Sequence, residues 1–223
     1  MRPIFPPAVD RRRSPAEKSP HLAIPVKWAR RPRLRRGSPV WRYLTDERCL
    51  PPRVLARAVA ADVVREGPYG SVWFAHRDDF GAVTHIEIRG PDFKGSVTGG
   101  EKNLFRLIGG PEPSTRLVLA EAPIDALSCA ALENLRADTL YAATGGGMGP
   151  KTISAIETIV ARLARIRGGR FCSAPDANPA GDRYAARHQQ IAATARVAFE
   201  RLRPPVDDSD WNDALAQRER TTP

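Results

Sequence analysis

The chain has 223 residues, 42% of them apolar, enough to bury a core as one medium domain or two small ones. No apolar run reaches the roughly 18 residues of a membrane span, and the arginine- and proline-rich start lacks a secretory signal's order, so the expectation is a cytoplasmic protein with no membrane partner. The net charge of +10 sits almost wholly in residues 1–40, which hold 11 Lys or Arg against 2 acids, whereas the remaining residues hold 24 against 23.

Residues 1–40 also carry 8 of the 21 prolines, and runs such as Arg11-Arg12-Arg13 lack an apolar period. The reading is a disordered basic tail that binds phosphates without sequence preference, weighed equally against a solvated extension or a displaced translation start. From Trp41 the texture changes. Leu55, Val59 and Val63 recur at helical spacing, residues 71–76 and 82–89 alternate around the turn-forming Asp78-Asp79-Phe80-Gly81, and a short strand follows at 104–108. This predicts a small α+β domain over 41–112, ended by Gly109-Gly110-Pro111-Glu112-Pro113.

Residues 113–218 repeat a strand-then-helix rhythm. Strands are predicted at 117–120, 139–143, 170–174 and 196–202, and helices at 124–135, 151–166, 181–193 and 211–217. Alternation with short connections implies a parallel sheet flanked by helices, a compact α/β unit. Cys49, Cys129 and Cys172 are odd in number and far apart, which excludes a disulfide framework and a zinc ribbon and reads as ordinary thiols in a reducing compartment.

In open parallel sheets ligands bind beyond the carboxyl ends of the strands, and here those ends are acidic. Glu121 and Asp125 follow the first strand, Asp176 and Asn178 the third, and Asp207, Asp208, Asp210 and Asp213 the fourth. Adjacent strands lie about 5 Å apart, so these carboxylates can converge, and oxygen ligands without histidine or thiolate suit magnesium or manganese rather than zinc. Blander readings stand beside this one: Asp125 and Asp182 as helix caps, Asp207 and Asp208 as solvated loop, Gly145 to Gly149 as a plain turn rather than a phosphate cradle, and Trp211 and Phe199 as core anchors.

The segment Glu121-Ala122-Pro123-Ile124-Asp125-Ala126-Leu127 resembles the glutamate motif of Toprim (topoisomerase-primase) domains, with Ala122 at the usual glycine. Asp176-Ala177-Asn178-Pro179-Ala180-Gly181-Asp182 resembles their second motif, D-x-D-x-A-G, and Asp210-Trp211-Asn212-Asp213 the later acidic motif of the primase-like branch. Residues 41–110 look like the uncharacterised segment that precedes Toprim domains in primase-like proteins of plasmids and other mobile elements. The resemblance implies Glu121 as general acid or base, Asp176, Asn178 and Asp210 as holders of magnesium or manganese, and Asp125 and Asp213 as supporting residues. It implies nucleotidyl or phosphodiester transfer on DNA or RNA, with nucleotides as substrates and replication or conjugation proteins as partners. A catalytically weakened accessory binder and a Toprim nuclease are the competing expectations, because Asn178 replaces the motif's second aspartate and removes one negative charge from the site.

Overall fold

A computed structural model describes residues 23–221. In chain order the strands are β1 (Val64–Glu66), β2 (Val72–Arg77), β3 (Val83–Arg89), β4 (Lys94–Ser96), β5 (Leu104–Ile108), β6 (Arg116–Ala120), β7 (Thr139–Ala143), β8 (Arg170–Ala174) and β9 (Ala198–Arg201). The helices are α1 (Ile24–Ala29), α2 (Pro39–Arg42), α3 (Pro52–Ala60), α4 (Pro123–Leu132), α5 (Pro150–Leu163), α6 (Pro179–Ala195) and α7 (Trp211–Thr221). All nine strands join one sheet, in the order β4-β3-β2-β5-β7-β6-β8-β9, with β1 added on β2.

The half from β7 to β9 is parallel; β6, β7 and β8 are largely buried on both faces, as parallel strands between helices must be, while β9 forms the more exposed edge. In β6, Val118 and Ala120 face a core shared with α3, α4 and Leu215 of α7, while Leu117 and Leu119 face a second core formed by Ala155, Ile156, Ile159, Val160 and Leu163 of α5 and Ala192 of α6. The small residues Ala126, Ala130 and Ala131 let α4 lie buried against the sheet, and the chain leaves that helix early, through Asn134 at φ 58° and Leu135 at φ 55°. The antiparallel half is continuous with this one: β5 pairs with β7, Leu107 opposite Tyr141.

Two expectations need correction. Residues 1–22 lie outside the described residues, but residues 23–40, read as part of a disordered tail, are folded. Ile24 and Trp28 sit four apart on α1 and are buried with Trp73, Ala75, Val83 and Ile86, and the Trp28 indole N–H donates to Asp62 at 3.0 Å. Arg65 lies over the Trp28 ring, 5.2 Å from its centre, and Leu34 is buried in the main core. A few large apolar side chains are enough to dock a segment whose average composition reads as solvated. The second correction concerns Val63, read at helical spacing with Leu55 and Val59: α3 ends at Ala60, and Val63 instead precedes β1, which like β4 is a short strand of three residues in a segment without a clear alternation.

Candidate active site

β6 and β8 are neighbours with Ala120 beside Ala174, and the chain leaves β6 at Glu121 and β8 through Pro175 into Asp176. From there α4 turns to one face of the sheet and α6 to the other. The two acids therefore stand where the crossovers diverge, the place in an open α/β sheet that forms a crevice. The backbone N–H of Asp176 donates to Glu121 Oε1 at 3.3 Å. Glu121, Asp125, Asp176 and Asp210 line one cleft of about 500 Å³.

The loop that carries Asp176 is built to hold its shape. A Cβ on Gly181 would meet the Asp176 carbonyl oxygen at 2.1 Å, so only glycine lets the first turn of α6 approach. Arg201 of β9 donates to the carbonyls of Pro175 at 2.8 Å and Asp176 at 2.9 Å. The Trp211 indole donates to Ala174 O at 2.8 Å, which makes it an anchor at the start of α7, in agreement with the reading of that tryptophan. Asp210 and Asp213 exchange hydrogen bonds, Asp213 N–H to Asp210 Oδ1 at 2.8 Å and Asp210 N–H to Asp213 Oδ2 at 3.3 Å, capping the same helix.

The cleft opposes like charges. Burial pushes the Asp176 carboxyl up to about 6, with Glu121 and Asp210 adding to the rise and Lys94 and Arg201 opposing it. Asp125 is held well above the usual carboxylate range by burial first and by Asp210 and Asp176 second, although the Asn212 N–H hydrogen bonds its charged form. Glu121 is also raised by burial, against the Asp176 N–H and the charges of Arg201 and Lys94. Asp176 Oδ1 is buried without a hydrogen-bond partner. A buried carboxylate oxygen with no donor, among acids that raise its affinity for a positive charge, fits a hard divalent cation. Among the described residues no group of three or more His, Cys, Asp or Glu side chains is placed to hold a metal ion, so a cation here would have at most two such ligands and would take the rest of its shell from solvent or substrate oxygens.

Asn178 is placed elsewhere. Its side-chain oxygen accepts from Gly181 N–H at 2.9 Å and caps α6, and it is not among the residues lining the cleft. The expected metal-ligand role at this position has no support from its placement, whereas the capping role explains the residue fully. Asp213 is exposed and acts on the backbone of Asp210, a supporting part. Asp182 and Asp207 pair with Arg203 at 2.8 and 2.9 Å, away from the cleft. The glycine turn after β7 is indeed a turn: Gly145 and Gly146 N–H both donate to the Glu121 carbonyl, at 2.8 and 3.1 Å, so neither is free for a phosphate.

The sequence reading missed the opposite wall. Arg48, Arg89, Phe93 and Lys94 line the same cleft from the N-terminal segment, and Asn212 Nδ2 ties α7 to the Arg48 carbonyl at 2.7 Å. Arg48, Arg89, Phe93 and Lys94 belong to no motif, and tertiary contacts such as the pairing of β5 with β7 carry their segment to the carboxylates.

With that geometry in view, residues 118–215 match the family described as Toprim-like, and residues 42–110 match a family described as protein of unknown function, DUF3991. The chain carries a Toprim-like domain. The Toprim-like domain of this chain and its preceding segment together follow the fold of primase catalytic cores. The DnaG catalytic core is 19% identical with a TM-score of 0.51, covering 81% of this chain and 70% of that one. The DnaG primase catalytic domain bound to ssDNA is 18% identical with a TM-score of 0.51, covering 80% and 69%. The primase fragment of the bacteriophage T7 primase-helicase is 19% identical with a TM-score of 0.45, and the chain spans 66% of its length, just under two thirds. At identities this low, the two DnaG matches show a shared fold alone. No curated protein matches the chain.

Proposed function

We propose that this protein performs magnesium- or manganese-dependent nucleotidyl or phosphodiester transfer on DNA or RNA, in the manner of a primase, with Glu121 as its general acid or base. The observation that supports this most is the joining of Glu121 and Asp176 at the strand ends, with Asp176 Oδ1 buried and unpartnered. Asp176 and Asp210 are the residues that would hold the ion, which supplies charge neutralisation on the phosphate oxygens.

The remaining work falls to the chain itself. A glutamate whose proton affinity is raised by burial is suited to move a proton at the attacking or leaving oxygen. Arg48, Arg89 and Lys94 face it across the cleft and suit phosphate groups. Asp125 accepts from Asn212 N–H and keeps the start of α7, and with it Asp210, at the site. The same reading takes nucleotides as substrates, and replication or conjugation proteins of a plasmid or mobile element as partners. Among the described residues no helix is long and apolar enough to cross a membrane.

Incubation with labelled single-stranded DNA, nucleotides and magnesium tests it. Extension products that vanish in Glu121→Gln support the proposal. Shortened products mean a nuclease, and a salt-sensitive shift without products means an accessory binder, the reading favoured by an Asn178 that serves as a cap.

A further inference from the structure

The loop between β3 and β4 runs Gly90-Pro91-Asp92-Phe93 and is closed by Gly90 N–H donating to the Phe93 carbonyl at 2.8 Å. Phe93 is 56% exposed, an unusual setting for a phenylalanine, and it lies in the wall of the cleft that holds Glu121 and Asp176. Its ring is seated rather than loose. A Cβ on Gly95 would meet the ring's Cζ at 2.8 Å and Cε1 at 3.1 Å, so the missing side chain of β4 is the seat on which the ring rests. One side of the ring thus lies on strand backbone while the rest stays open, with Arg89, whose guanidinium is ion-paired with Glu87, before the loop and the exposed Lys94 after it, both lining the same cleft. Lys94 stands near enough to Glu121 and Asp176 for its charge to act on both.

We propose that Phe93 is a stacking platform for one unpaired base of a single-stranded nucleic acid, with Arg89 and Lys94 holding the flanking phosphates beside the carboxylates. An aromatic face between two cations is the arrangement that binds single strands without reading their sequence, because every base has a π-face and every nucleotide a phosphate. A packing role does not account for the residue, which rests on Gly95 and otherwise stays exposed. A protein-docking role does not call for the two cations or for a place over the acidic strand ends. The inference rests on the proposed action on nucleic acid and adds the contact that recognises a base.

The test compares binding of a fluorescently labelled dT20 strand with an abasic strand of equal length and charge, measured by anisotropy without nucleotides. The wild type should bind dT20 more tightly than the abasic strand. Phe93→Leu should weaken dT20 binding roughly tenfold to a hundredfold, leave the abasic strand unchanged and leave the salt dependence unchanged, while Phe93→Trp should restore dT20 binding. Thermal melting of both variants should match the wild type, since the side chain is on the surface. Equal affinity of the wild type for both strands, or equal loss on both in Phe93→Leu, overturns the platform while leaving action on nucleic acid standing. A wild type that binds neither strand overturns both.

Discussion

The two ends of the central parallel strands make opposite use of buried charge. At the amino end, Arg116 of β6 is buried and fully engaged: its guanidinium donates to both oxygens of Glu133 at 2.7 Å, to Thr139 Oγ1 at 3.3 Å and to Cys172 Sγ at 3.2 Å, and the Tyr141 hydroxyl donates to Glu133 at 2.8 Å. At the carboxyl end of the same strand, Glu121, Asp125, Asp176 and Asp210 share a cleft as like charges, with Asp176 Oδ1 lacking any donor. Five residues of β6 separate a network in which every polar group has a partner from one whose partners have to come from outside. The first arrangement locks strand register and α4; the second costs stability, a cost that a bound cation would relieve.

The sharpest way to break this contrast is to neutralise each end in turn. Glu121→Gln should lower magnesium-dependent transfer by about a hundredfold to ten-thousandfold with no loss of folding, read by steady-state rates and by chemical denaturation on the same preparation. Unfolding at lower denaturant, rather than slower turnover, would make Glu121 structural. Arg116→Ala should do the reverse, costing about 3–5 kcal/mol in urea unfolding because Glu133 and Tyr141 lose the cation that compensates them. A loss below about 1 kcal/mol would show that the network is solvated and that the amino end is no more satisfied than the carboxyl end.

Legibility in the sequence follows the same division. The strands at 104–108, 139–143 and 170–174 were readable to the residue, because each is a short apolar run bounded by glycine, proline or charge. Glu121, Asp125, Asp176 and Asp210 were readable because a parallel sheet puts its ligands at strand ends, a rule that needs only order and spacing. Asn178 carries a second signal that order and spacing do not separate from the first: a residue just before a helix can cap it, and its oxygen accepts from Gly181 N–H. Arg48, Arg89 and Phe93 were not readable at all, and Asn212, though inside the acidic motif, had no role there, since their place at the cleft depends on contacts between distant segments such as Asn212 with Arg48. Trp28 was lost in an average: eleven basic residues in the first forty outweigh one tryptophan in composition, though not in burial.

His188 sharpens the comparison from the far side of β8. It is buried on α6, with Ser173 Oγ at 2.8 Å from Nδ1 and Met148 Sδ at 3.2 Å from Nε2, and burial holds its proton affinity down to about 3. The folded value lies below the unfolded one, so the unfolded chain takes up the proton first as pH falls. Stability from this residue is therefore complete above about pH 6.5 and is lost progressively toward pH 3, by about 2 kcal/mol at pH 5. His188→Gln should flatten that slope between pH 7 and 5 in denaturant titrations, and an unchanged slope would assign it to other groups.

The smallest effect is the most direct test of what the carboxyl end gives up. Asp176 has its folded value raised to about 6, above the 3.8 of an ordinary aspartate, so its charged form destabilises the fold above about pH 6, and this cost disappears as pH falls through 6 toward 4. Asp176→Asn removes the charge while keeping the shape. It should be more stable than the wild type at pH 7.5, by about 1 kcal/mol once the roughly 3 kcal/mol of such a shift is discounted for the cleft's contact with solvent, and close to it at pH 4, while losing transfer activity. Magnesium should raise the melting temperature of the wild type and leave that of Asp176→Asn unmoved, because an ion that binds only the folded state stabilises only the protein able to hold it. If the asparagine variant is instead less stable at pH 7.5, Asp176 has a compensating partner in solution, and the two strand ends differ in the groups they employ rather than in whether those groups are satisfied.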